Sequence, residues 1–183
     1  MKQIQIQSAI LILFIILTAC ASSKEVRKDP EPSPSLKSKE FFESIEEGNA
    51  EAVRSMIAAG MDPNVSNPSD TNGTTTLQAA LGNIEMMQTL ITAGVNVNAT
   101  NHDGSSALIL AINSGQTESM KVLVAAGADV NLKNHAGNTP LMNAVKRDDS
   151  EVVEFLLAHG ADVNATTVEG MTALMAATGN GDL

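Results

Sequence analysis

An all-helical solenoid of stacked helix–turn–helix units is the fold this sequence predicts, on three observations. The first is composition: 183 residues are 43% hydrophobic, yet there is no Trp, no Tyr and only four Phe. A core filled by Leu, Ile, Val, Ala and Met suits closely stacked helices better than one thick globular interior. The second is a recurring Ala-Gly or His-Gly pair ending at Gly60, Gly94, Gly127 and Gly160, spaced by 34, 33 and 33 residues. The third is a motif opened by Gly73, Gly104, Gly137 and Gly170, spaced by 31, 33 and 33. Its copies read GTTTLQAA, GSSALILA, GNTPLMNA and GMTALMAA. Repetition at such a period marks units that bury their apolar faces only by stacking.

The chain opens with Lys2 and an unbroken apolar run over residues 9–17. That length fits a secretory h-region, whereas a spanning helix needs about 20 apolar residues. Leu17-Thr18-Ala19-Cys20 follows and resembles the lipobox of bacterial lipoproteins. The resemblance implies a signal peptide over 1–19, cleavage before Cys20 and lipidation of its sulfur. An ordinary secretory signal with an incidental cysteine is the plainer alternative. The only cysteine in the chain stands where the lipoprotein pathway uses one, which favours the lipobox. In that family an Asp after the cysteine retains the protein in the inner membrane. Here Ala21 follows, which implies the outer membrane, on the periplasmic side of a bacterial envelope. Acyl chains would hold the protein there at about 0.8 kcal/mol per buried CH₂. One cysteine builds neither an internal disulfide nor a Cys-based zinc site.

Residues 20–37 carry Pro30, Pro32 and Pro34 among Ser and charged residues. They read as a disordered tether, with or without a required length. Residues 38–183 are expected to fold, with a capping unit over 38–72, repeats over 73–103, 104–136 and 137–169, and a partial repeat over 170–183. In each, Thr75, Ser106, Thr139 or Thr172 is placed to cap a first helix, and Pro140 suits the first helical position. Leu77, Leu108, Leu141 and Leu174 then face inward beside small Ala residues. The second helices carry apolar residues at helical spacing, such as Val122, Leu123 and Val124, or Val152, Val153, Phe155, Leu156 and Leu157. Gly127 and Gly160 end them in the left-handed position, and Asp129-Val-Asn131 and Asp162-Val-Asn164 start extended turns.

These units resemble the ankyrin repeat, with its 33-residue period and Thr-Pro-Leu-His-x-Ala signature, over about residues 38–183. The resemblance implies an all-α ankyrin-repeat solenoid whose helix pairs are joined by β-turn or hairpin loops. Residues 39–64 look like the family's N-terminal cap, with Glu43, Glu46 and Glu47 outward. The motif His is absent, replaced by Gln78, Ile109, Met142 and Met175, so its bond to a neighbouring loop must be lost or substituted. Asn96 replaces the usual Asp, and Pro63 stands where Val130 and Val163 stand. The fifth repeat is truncated after its first helix. Either the sequence is a fragment of a longer reading frame, which is favoured, or that helix is a frayed lid.

No hydrolase elbow, His-Glu-x-x-His or phosphate-binding Gly-rich loop occurs. His102 and His135 are expected at equivalent turn tips, too few for a metal site, and His159 at a helix C-terminus. Asp148 and Asp149 read as the start of a second helix. Met56, Met86, Met87 and Met120 fall at core spacing. No catalytic residue, metal or cofactor is expected, and the formal charge of −10 argues against nucleic acid.

What remains is a concave surface of turn tips and first-helix faces. By the family's contact positions, the resemblance implies partner contacts at His102, Asp103, Ser105, Asn113 and Ser114. The next unit adds Lys133, His135, Asn138, Lys146 and Arg147, and the last adds Val168, Glu169 and Met171. With 6 basic and 18 acidic residues over 38–183, a basic partner patch would be steered toward it. The expectation is a monomeric, non-enzymatic protein-binding scaffold, touching membrane only through its lipid. The alternatives are an inhibitor, immunity or stress-protection partner of an envelope enzyme or toxin, the binding half of a longer enzyme with its catalytic domain beyond 183, and a plain structural spacer.

Overall fold

The computed structural model describes residues 33–178. The signal peptide expected over 1–19, Cys20 with its expected lipid and most of the expected tether lie outside the described residues. Nine helices run in pairs among those described: α1 (Pro34–Glu46), α2 (Ala50–Ala58), α3 (Thr76–Ala79), α4 (Ile84–Thr92), α5 (Ala107–Asn113), α6 (Thr117–Ala125), α7 (Pro140–Lys146), α8 (Ser150–Ala158) and α9 (Ala173–Thr178). First helices stack in the order α1, α3, α5, α7, α9, and second helices α2, α4 and α6 form the other layer. No strand forms among the described residues, only isolated antiparallel bridges of Ser66 with Thr75 and Thr100 with Ser106.

The caps follow the sequence. Thr75, Ser106 and Thr139 accept from the third N–H of α3, α5 and α7, and Pro140 holds the first position of α7. Thr172 does the same for Met175. Asn49, Asn83 and Asp149 cap α2, α4 and α8. Between the layers, Phe41, Val53, Leu77, Met86, Met87, Leu90, Leu108, Met120, Leu123, Leu141, Val152 and Leu156 form one continuous core. Each layer contributes apolar side chains to it, so no hairpin is stable without its neighbours.

The structure departs from the sequence reading at three places. The folded part begins at Pro34 rather than 38, because Ser33 caps α1 and Pro34 takes the first turn, where a missing N–H costs nothing. Asp148 is not in a helix. It sits at φ +56° in the turn before α8, where Gly48, Gly82 and Gly115 stand in the other units at φ +74°, +88° and +67°. Asp148→Gly should therefore raise stability by about 0.5–1 kcal/mol, since a side chain is strained in that region; a lower midpoint in urea would contradict it.

The third departure is Leu174, expected to face inward like Leu77, Leu108 and Leu141 but 73% exposed on α9. The expectation that the bond of the motif His is lost or substituted is met at Gln78. It replaces the motif His and does more than fill its place. Its Oε1 accepts from the N–H of Thr75 at 3.0 Å, closing a capping box, and its Nε2 donates to the Ser105 carbonyl of the next unit at 2.6 Å. Ile109 and Met142, in the same register, are buried and apolar instead. The bond is thus substituted in one repeat and replaced by packing in two. Gln78→Met should cost about 1–2 kcal/mol, because the Thr75 N–H loses its buried partner. A melting temperature equal to that of the parent would remove this assignment.

Candidate binding surface

The tips are hairpins across which a backbone N–H meets a carbonyl, Asn67 to Thr74, Asn101 to Ser105, Asn134 to Asn138 and Thr167 to Met171, at 2.8–3.1 Å. Inside each of the last three, one side chain holds the turn. Asn101 accepts from Asp103 and Ser105, Asn134 from Ala136 and Asn138, and Thr167 from Glu169 and Met171. In the longer first loop Asp70 takes that place, accepting from Gly73 at 2.7 Å and Thr74 at 3.3 Å. The Thr74 hydroxyl first of all holds its carboxyl below the usual range, opposed by desolvation and helped by the backbone N–H groups of Thr74, Gly73 and Asn72. A depressed value means the anchoring is full at neutral pH and fades as pH falls through that value.

Two ladders then lock unit to unit. At the tips, His102, His135 and Val168 each donate a backbone N–H to the preceding unit, at Asn72, Asp103 and Ala136 (2.8, 3.0 and 3.1 Å). At the opposite turns, Asn64, Asn98 and Asn131 accept through Oδ1 from the N–H of Asn96, Asp129 and Asp162 (2.7, 2.8 and 2.7 Å). The second ladder explains why Asn closes each Asp-Val-Asn turn: the first residue bonds its own turn, and the Asn reaches the next. Asn96 serves as well as Asp there, since its Oδ1 accepts from Asn98 at 3.0 Å.

Several expected contact residues are spent on this scaffold. Ser105 is buried, and its carbonyl and N–H are both used within the array. The His102 ring lies over Gly73 and bonds the Thr71 carbonyl, and the His135 ring lies over Gly104. Arg147 donates to the Asn113 carbonyl at 2.7 Å and covers Gly115, while Lys133 reaches the Thr166 carbonyl at 2.9 Å. His159 stacks on Phe155, ring centroids 4.1 Å apart, and bonds its carbonyl. Asp103, Asn113 and Ser114 remain exposed along the tips and first-helix ends.

Five expected residues do converge. Asn138, Lys146, Val168, Glu169 and Met171 line an open groove of about 610 Å³, floored by Met142 and Met175. Lys146 is held across it by Asn138 Oδ1 at 2.9 Å. The two floor residues were recognisable only as replacements for the motif His; their burial or exposure depends on the neighbouring unit, which no local pattern reveals. Among the described residues, no group of three or more His, Cys, Asp or Glu side chains is placed to hold a metal ion, and no helix is long and apolar enough to cross a membrane.

Paired helices, glycine-ended and tied tip to tip around an open groove, define a helical-repeat interaction module. Ankyrin repeats in three copies match residues 41–134, and a second ankyrin family, described as many copies, matches 123–175. The chain belongs to the ankyrin-repeat family, whose arrays are protein–protein interaction scaffolds and in general not enzymes. No curated protein matches it in sequence.

Proposed function

We propose that the chain is a non-enzymatic scaffold, lipid-anchored through Cys20 on the periplasmic side of a bacterial envelope, where it binds a protein partner as a monomer. The groove formed by Asn138, Met142, Lys146, Val168, Glu169 and Met171 carries the binding half of this reading. Its lining is mostly apolar, with Lys146 and Glu169 as its two opposite charges, so it favours a segment with an apolar anchor and polar flanks. Few aromatic or Arg side chains line it, which argues for moderate affinity. The anchor half rests on the apolar run over 9–17 and on the position of Cys20.

The two halves separate experimentally. Cys20→Ser should move the chain from the membrane to the soluble fraction and abolish incorporation of a labelled fatty acid. Retention of label would remove the anchor. Lys146→Glu combined with Met171→Asp should weaken capture of envelope partners, with Asn113→Ala as the control on the same concave side. Equal recovery from all three proteins would exclude the groove.

A further inference from the structure

The first tip differs from the later ones at the atom that decides its chemistry. The N–H of Gly104, Gly137 and Gly170 meets a neutral backbone carbonyl, of Asn101, Asn134 and Thr167, at 2.9, 2.8 and 3.0 Å. The N–H of Gly73 meets a carboxylate instead, Asp70 Oδ1 at 2.7 Å. The residue before the glycine differs too: Asp103, Ala136 and Glu169 in the later tips, but Asn72 in the first. Asn72 is half-buried, and its backbone carbonyl accepts from the His102 N–H at 2.8 Å. No side chain suits position 73, where φ is +66° and the His102 ring lies 2.5 Å from the place a Cβ would take.

We propose that Asn72 and Gly73 form a self-modifying site, at which the chain converts Asn72 to aspartate and isoaspartate. The Gly73 nitrogen attacks Cγ of Asn72, and its proton passes to the Asp70 carboxylate. The bond from Cγ to Nδ2 then breaks, the proton goes on to the leaving nitrogen, and ammonia departs. A succinimide ring remains. Water opens it at either carbonyl, giving aspartate or isoaspartate, with nothing oxidised or reduced. Glycine obstructs such an attack least, having no Cβ. The carboxylate acts as a general base, since it already holds the proton that must leave. Bonds from the Gly73 and Thr74 N–H groups fix it there.

The two products act differently on the array. Aspartate at position 72 matches Asp103 in the next tip, so the fold accepts it and the first tip gains a negative charge. Isoaspartate carries an extra methylene in the backbone, which moves the carbonyl at position 72 out of line with the His102 N–H. The tie between the first tip and the second then loosens, beside the exposed Asp103. The site thus changes both charge and stiffness at the first tip as the protein ages.

The test keeps the full chain folded at neutral pH and follows deamidation by peptide mapping with mass spectrometry. Asn180-Gly181 repeats the dipeptide outside the described residues and serves as the internal reference. Asn72 should convert to a mixture of aspartate and isoaspartate. Asp70→Asn keeps the accepting oxygen and removes the base, so conversion at Asn72 should slow about tenfold while Asn180 keeps its rate. In urea the variant and the parent should convert Asn72 equally, since the unfolded chain no longer holds Asp70 on Gly73. Exchange of the His102 amide should quicken in the isoaspartate form and stay at the parent rate in Asn72→Asp; equal exchange in the two would remove the loosened tie. Three results would each overturn the proposal: an Asn72 that stays intact in the folded chain, a rate that Asp70→Asn leaves unchanged or raises, or the same slowing in urea as in the folded chain.

Discussion

Leu108→Ala is expected to lower the unfolding free energy by about 2–5 kcal/mol. Leu108 is 1% exposed on α5, which packs on α3 before it, α7 after it and its own partner α6. Deleting its side chain opens a cavity between α5 and the helices packed on it, and a close-packed interior closes such gaps poorly. The loss strikes two interfaces at once, so the whole array should unfold at lower urea. His102→Ala removes the ring above Gly73 and the bond to Thr71, but at an exposed tip, and should cost only about 1 kcal/mol. Urea midpoints for the pair check the ranking. A larger loss at His102 would mean that the tips, rather than the helix layers, hold the fold together.

Gly137→Ala should be nearly as damaging, and for a different reason. Gly137 has φ +79°, and an added Cβ would lie 2.7 Å from both Thr167 Cα and Val168 N. Those are backbone atoms, so no side chain can swing aside. The strained conformation costs about 1–2 kcal/mol, and the clash pushes away the last tip, with its bond from Val168 to Ala136; a total near 3 kcal/mol is expected. Gly127 is the control. It has φ +90° but nothing within 4 Å of the added atom, so Gly127→Ala should cost only about 1 kcal/mol of backbone strain. Thermal melts of the two variants should separate by several degrees. Coinciding melts would show that the tip at Thr167 does not rest on Gly137.

The repeat itself was legible because its signals are local. A hydroxyl three residues before an N–H it can cap, Pro140 in a first turn and a glycine ending each second helix act within one helix, so Thr75, Ser106 and Thr139 were identifiable one by one. Features that depend on the next unit were not. Asn131 was read only as part of an extended turn, and the ladder it forms with Asn64 and Asn98 was not seen, since its donors lie about 32 residues away. Ser105 looked like a surface polar residue, and only the Gln78 amide from the preceding unit shows it to be enclosed. Lys133 and Arg147 likewise resembled free cations until the carbonyls they meet were in place. Pro34 was read as a breaker because three prolines in alternation suggest a tether; the last of them instead starts α1. The candidate groove was half legible: its polar rim followed from family positions, and its Met142 and Met175 floor required the stacking itself.

Amide hydrogen exchange along the Asn ladder probes the stacking most directly. Asn96, Asp129 and Asp162 sit in turns exposed to water, where an unpaired N–H exchanges at nearly the open-chain rate. If each is held by the side chain of the unit before it, all three should be strongly protected relative to Asp62, which begins the series, and Leu108→Ala should release Asp129 along with its neighbours. Exchange of these three amides as fast as that of Asp62 would mean that the helix pairs stand apart, leaving no shared groove to offer.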